Sequence, residues 1–244
     1  MERKFRIYVI NLNIKKILLF LVILAVLLGT LIKYRYSKGL SIFNFLEQNT
    51  IVVDPGHGGI DGGAGDKGDV LEKDINLNIA LKLKRELLVE GFRVVLTREQ
   101  DVSLEGLSNI KASRYRRDLD ARKKIIDGNQ PVAFVSIHCN SSPSSSARGI
   151  KIYHYPDSIE GEKLAKAIAE AVDEIIYEDY LKEEKLRAEV LSEDFFILRE
   201  PAYTGVLVEV GFLTNPDEKR LLTDGNYQQI IARAIKKGIL RYLQ

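Results

Sequence analysis

The chain has 244 residues, 45% hydrophobic and 29% charged, which is ample for one sizeable core and excludes a disordered or low-complexity protein. The formal charge is +2, but residues 1–38 hold eight Lys/Arg and one Glu, or +7, so the remainder carries 2 − 7 = −5. A mildly acidic body argues against nucleic acid, which calls for positive charge gathered on one face, and a single cysteine, Cys139, excludes a disulfide-stapled miniprotein.

Residues 17–32 (ILLFLVILAVLLGTLI) are uncharged and apolar, set between Lys15-Lys16 and Lys33. As a helix they would span about 24 Å, slightly under the ~30 Å hydrocarbon core of a bilayer, and snorkelling lysines close that gap. The run reads as a signal anchor. A cleaved signal peptide has a similar layout, but YRYSKGLSIFNF shows no small-x-small cleavage pattern. A buried core helix fits poorly, because the apolar character is all-round and both flanks are basic. Five Lys/Arg precede the run and three follow it, which favours an N-terminus in the cytoplasm and a body outside. The expected organisation is a tail and anchor over residues 1–38, a linker over 39–49 and one folded domain over 50–244.

From residue 51 onward, strand and helix patterns alternate. IVVD is a short apolar run, residues 74–90 are amphipathic up to Gly91, and RVVLT reads as a strand. A polar, basic segment containing RRDLDARKK leads to VAFVSIH, and GIKIYHY alternates with period two. Residues 161–176 place Leu164, Ile168, Val172 and Ile175 on one helical face, with Asp157-x-x-Glu160 as a capping box before them. Residues 205–210 form a buried run, and 227–243 close the chain as an amphipathic helix. The alternation predicts a single layered α/β domain with a mixed, largely parallel central sheet flanked by helices. Residues 178–200, with eight acids and four bases, read as a solvated helix-loop excursion rather than a partner-docking surface.

The chemistry gathers at strand ends. In IVVDPGHGGIDGGAG, His57 lies just past a strand, where open α/β sheets place ligands. His138 ends the strand of VSIHCNSS, Glu72 heads the 74–90 helix, and Glu209 sits inside LVEVGF, where an unpaired carboxylate is expensive to bury. Two imidazoles and a carboxylate are a standard catalytic zinc set, with a further Glu to take a proton from water. The separations, 15 residues from 57 to 72 and 66 from 72 to 138, match no short helical zinc motif. On residue types alone, a turn histidine and a satisfied core histidine explain the two imidazoles at least as well. Gly63-x-Gly65-x-x-Gly68 opens no helix, so it is not a dinucleotide fingerprint, and there is no G-x-S-x-G elbow. If His138 faces a cleft, Cys139 faces the core and is no nucleophile. His154 reads as a packing or surface residue.

Taken together and in order, IVVDPGHGGIDGGAG, EKDINL, FVSIHCNSS and VLVEVGFLTNPDE resemble the zinc-dependent N-acetylmuramoyl-L-alanine amidases of the amidase-3 type, from about residue 50 onward. The resemblance implies a six-stranded mixed sheet, one zinc ion held by His57, Glu72 and His138, and Glu209 as the catalytic glutamate. It implies cleavage of the amide between the muramic acid lactyl group and L-alanine, with peptidoglycan glycan strands and stem peptides as partners. The short chain, the uncleaved-looking anchor and the lack of a wall-binding repeat resemble the spore-cortex, germination-specific type, in which this step precedes muramic-δ-lactam formation. Asp54 is a candidate to back a ligand or, equally, a turn acceptor; Arg122 and Asn140 are candidate substrate contacts. Residues 101–117 are longer and more basic than the family pattern, and Cys139 stands where a small residue is usual. Two rival readings are a non-catalytic peptidoglycan-binding or scaffolding protein and a zinc carboxypeptidase acting on wall peptides. An accessory protein that orders the glycine loop or the acidic segment is a further expectation.

Overall fold

The computed structural model describes residues 15, 17, 20, 21, 23–33, 49–65 and 70–244. It divides into one unit within residues 1–45 and a second within residues 46–244. The described residues of the first unit are helical, with apolar side chains such as Phe20 and Ile32 exposed. Among the described residues no helix is long and apolar enough to cross a membrane. The anchor expected over 17–32 includes Leu18, Leu19 and Val22, which lie outside the described residues, as do residues 39–48 of the linker expected over 39–49.

The second unit is a three-layered α/β domain. Its elements are β1 (Thr50–Pro55), α1 (Glu72–Val89), β2 (Arg93–Leu96), α2 (Arg114–Gly128), β3 (Ala133–Asn140), β4 (Lys151–His154), α3 (Ile159–Val172), β5 (Glu189–Ser192), α4 (Phe196–Arg199), β6 (Gly205–Phe212), α5 (Pro216–Thr223) and α6 (Gly225–Tyr242). The strands form one six-stranded sheet in the order β2-β1-β3-β6-β4-β5. β1, β2, β3 and β6 are parallel; β4 runs antiparallel to β6, and β5 parallel to β4. The sheet is therefore mixed and mostly parallel, as the alternation of patterns predicts.

Period two along the strands distributes the core. Ile51, Val53, Val135, Ile137 and Val208 join Ile79 and Leu83 of α1, Leu164 and Ile168 of α3, and Ile231 and Ile235 of α6. Val52, Phe134 and Leu207 point the other way, onto Ile126 of α2 and Ile197 and Leu198 of α4. Each of these fully buried side chains contributes about 1.5–3 kcal/mol relative to exposure. The β1–α1–β2 crossover lies on the first face, and β2–α2–β3 returns over β1 on the second. β1 and β3 are thus neighbours whose chains depart on opposite sides, and the crevice at their C-terminal ends is a switch point where such sheets bind ligands.

Three local expectations are corrected. The cap of α3 is Ser158, whose hydroxyl accepts from the Gly161 amide at 2.9 Å, not Asp157. Residues 178–200 are not merely an excursion: after a π-helical turn (Asp173–Tyr180) they supply β5 at the sheet edge and α4 beneath it. Helix α1 starts at Glu72 rather than 74, which places that carboxylate in its first turn.

Helices α3 and α6 touch backbone to backbone. A Cβ added at Gly238 would lie 2.4 Å from Ile168 Cα. Gly238→Ala is expected to lose about 1–3 kcal/mol to overpacking, despite alanine's better helix propensity. Gly128→Ala, where nothing lies within 4 Å, should be neutral or stabilising by up to about 1 kcal/mol. Chemical denaturation of the two variants checks the contrast.

Candidate metal centre and active site

The crevice is built by three strand ends and one helix start. β1 is extended by the Gly56 amide, which donates to Ile137 O at 2.9 Å. A Cβ at Gly56 would fall 2.1–2.6 Å from three atoms of the His138 ring, so only glycine lets that imidazole lie against β1. The next residue, His57, has φ of +61°. A non-glycine residue in this region typically carries of order 1–3 kcal/mol of strain, tolerated where surroundings enforce it. The two imidazoles face each other edge-on, 4.9 Å between ring centroids.

Glu72 stands between them. Its Oε1 is 3.1 Å from His57 Nε2 and 3.0 Å from His138 Nδ1, and it also accepts from the Cys139 amide at 3.0 Å and from Asn76 Nδ2 at 3.2 Å. Its Oε2 accepts from the Ala64 amide at 2.7 Å. Burial would raise this carboxyl, but the hydrogen bonds and charges of the two imidazoles prevail and hold it well below the usual carboxylate range. The other His57 nitrogen, Nδ1, is 2.9 Å from Asp61 Oδ2. Burial pulls the His57 imidazole down, yet Glu72 and Asp61 outweigh it and raise its pKa to about 9. Gly63 closes the loop over the pair; a Cβ there would meet Glu72 Oε2 at 2.5 Å and His57 Cδ2 at 2.7 Å.

Glu209 lies directly across the β3–β6 ladder from His138, so their side chains share a face. Its Oε2 is buried with no hydrogen-bond partner among the described residues. Burial raises the carboxyl to about 7, with His138 and His57 pulling down and Glu72 pushing up. His57, Glu72 and His138 offer ligand atoms that all lie within 4.8 Å of one another and can hold a metal ion. Two imidazole nitrogens and one carboxylate oxygen fit zinc chemistry. Asp61 behind His57 fits the backing carboxylate that orients a ligating histidine.

The remaining sequence candidates fall beneath or beside this group. Asp54 is buried; its Oδ1 accepts from Thr97 Oγ1 at 2.5 Å and Arg122 Nη1 at 2.6 Å, and its Oδ2 from Ser136 Oγ at 2.7 Å. Burial raises its pKa, but Arg122 and these hydroxyls bring it below the ordinary value. Arg122, expected as a substrate contact, is only 2% exposed. Its guanidinium is committed to Asp54, Asp118, Pro55 O and His57 O, so it faces the loop from below and not the open crevice. Asn140 ends β3, half-buried, with Oδ1 accepting from the Ser141 amide at 2.8 Å. Cys139 turns into the core, its Sγ 3.5 Å from Asn76 Oδ1, and burial pushes its thiol well above the ordinary value. His154 is buried at the opposite end of the β6 pairing, its Nδ1 2.9 Å from Tyr155 O.

Asp61, Asn76 and Arg98 escaped the sequence reading. Asn76 had a signal, a polar side chain four residues after Glu72 on the same helical face. Arg98 had one too, a charge directly after the apolar run RVVLT.

Residues 51–241 match the family model described as N-acetylmuramoyl-L-alanine amidase. The chain is 36% identical over 222 residues to the germination-specific N-acetylmuramoyl-L-alanine amidase of Bacillus subtilis, covering 89% of this chain and 90% of that one. Among solved structures it resembles the CwlD amidase of Clostridioides difficile, described in complex with the GerS lipoprotein. That match has a TM-score of 0.71 and 38% identity, over 80% of this chain and 98% of that one. It also resembles an N-acetylmuramoyl-L-alanine amidase of Clostridium difficile 630, with a TM-score of 0.67 and 30% identity, over 81% and 97% of the two chains.

With a pKa of about 9, His57 holds its proton at pH 7.5 in the metal-free protein and must lose it to bind a cation. Zinc binding at pH 7.5 is therefore expected to release about one proton from this group, and affinity to fall about tenfold per unit below pH 9. Titration calorimetry in buffers of different ionisation enthalpy measures that proton; a value near zero would show that His57 is already neutral before the metal binds, against the raised pKa.

Proposed function

The chain belongs to the N-acetylmuramoyl-L-alanine amidase family, and from that premise we propose a zinc-dependent hydrolase that cuts the amide between N-acetylmuramic acid and L-alanine in peptidoglycan. The observation that carries this reading is the convergence of His57, Glu72 and His138 beside Glu209, whose Oε2 is buried with no partner among the described residues. Zinc held by the three donors would bring the pKa of a water towards neutrality and polarise the scissile carbonyl. Glu209, with its carboxyl at about 7, is matched to both proton transfers: it takes one from the attacking water and delivers one to the departing amine of L-alanine. Asp61 keeps Nδ1 of His57 engaged, so that Nε2 is the nitrogen turned to the centre. Asn140, at the rim of β3, remains the candidate for substrate contact.

Similarity to the germination-specific amidase along almost the whole of both chains supports a role in spore-cortex maturation, where removal of the peptide prepares muramic acid for δ-lactam formation. The apolar run 17–32 between basic flanks supports an anchor, with the catalytic domain of residues 50–244 outside the cytoplasmic membrane. The lipoprotein bound to the similar CwlD amidase supports an accessory protein partner here as well.

Muropeptide mass spectrometry of digested peptidoglycan is expected to show stem peptides with a new free L-alanine amino terminus. A carboxypeptidase would instead shorten peptides still joined to sugar, and a binding protein would release nothing. Glu209→Gln should lower turnover about 10²–10⁴-fold at unchanged zinc content. Full turnover in that variant would sink the assignment. Membrane fractionation tests the anchor: the full chain should pellet with membranes, and a chain starting at residue 46 should not.

A further inference from the structure

Arg98 and Arg122 are 3% and 2% exposed, and neither is among the donors of the metal centre. What they hold is backbone. Arg122 donates from Nη1 to Pro55 O at 2.8 Å and from Nη2 to His57 O at 2.6 Å. Arg98 donates from Nε to Pro55 O at 3.1 Å and from Nη2 to Gly56 O at 2.9 Å. Three consecutive carbonyls leading into and through the strained His57 are thus each taken by a buried guanidinium. Arg98 Nη2 also reaches Lys73 O at 2.8 Å, the residue after Glu72. One planar group therefore bonds the neighbour of His57 and the neighbour of Glu72, segments that come from different elements.

The two arginines differ in what they bond. Arg122 pairs with Asp54 and Asp118, both at 2.6 Å. Every acceptor the structure gives Arg98 is a backbone carbonyl, the fourth being Gln100 O at 3.1 Å. No carboxylate is bonded to Arg98, so what this buried cation satisfies is backbone: four carbonyl oxygens on three segments of chain. The guanidinium fork is rigid and planar and fixes the distance between the groups it bonds.

We propose that Arg98 and Arg122 are positioning residues that set the spacing of His57 and Glu72, and through it the affinity of the centre for its metal. This rests on the metal reading of the three-donor group. The left-handed turn at His57 and the first turn of α1 are held at one separation before any cation arrives, so binding need not order them.

The test is zinc affinity of the full chain, measured by competition with a chromophoric chelator, alongside circular dichroism and metal-free thermal unfolding. Arg98→Lys, Arg98→Gln and Arg122→Lys are compared with Lys84→Ala, whose partner Glu99 is exposed. The expected result is a dissociation constant raised about 10–100-fold in the arginine variants, unchanged in Lys84→Ala, with secondary structure intact. A merely structural role would lower the unfolding temperature and leave zinc affinity where it was. Should Arg122→Lys fail to fold, the Arg98 variants decide, since losing Arg98 leaves no bonded carboxylate behind. Affinity within twofold of wild type in a folded Arg98 variant overturns the proposal, as does loss of fold in both, because Arg98 would then serve the fold itself and not the spacing of the donors. An unsubstituted chain that binds no zinc would defeat the metal reading itself and is recognised from that chain alone.

Discussion

The active end of the sheet is organised around one buried negative charge. Glu72 is 3% exposed, and a carboxylate removed from water so fully must be met by donors on every side. Two imidazoles, a side-chain amide and two backbone amides meet it. Its position in the first turn of α1 adds the positive end of the helix dipole. That helix has no side-chain cap; the Glu72 and Lys73 amides donate instead to Ala64 O and Gly62 O. Loop and helix thus satisfy each other's open groups, and the glycine-rich segment is fixed by the same residue that fixes the histidines.

Three carboxylates in one small region are driven in different directions by their surroundings. Asp54 and Glu72 sit among cations and hydrogen-bond donors and stay charged. Glu209, set in a strand with one oxygen unpartnered, is held near neutrality. Divergent environments for like groups separate binding and structural roles from proton transfer. The parallel ladder makes this separation possible, because each strand end delivers one side chain at a fixed offset from the next. Asp54 pairs in register with Ser136, and His138 with Glu209.

Five of the six strands were legible because their signals are local, an apolar run with a polar residue at its end, whereas the four chemical residues became a set only through the order of four motifs spread along the chain. The sheet's parallel character followed from alternation alone. Other features depend on contacts that no local pattern carries. Arg122 looked like a rim residue in a basic helix, but three of its partners lie 65 to 68 residues away on β1 and its loop. The role of Arg98 appears only once β2 and β1 are in register. β5 was hidden because an edge strand with one exposed face carries charges such as Glu189, which blunt its hydrophobic pattern and guard the edge against further pairing.

The burial of Cys139 has a practical consequence. Its thiol is turned into the core, 4% exposed, and its pKa is driven upward, so at neutral pH it offers neither access nor thiolate to an alkylating reagent. The chain is therefore expected to resist maleimide and haloacetamide labelling while it stays folded. A single cysteine introduced on an exposed position, such as Thr214 beside the crevice, would carry a dye or spin label at one defined place without first removing the native thiol.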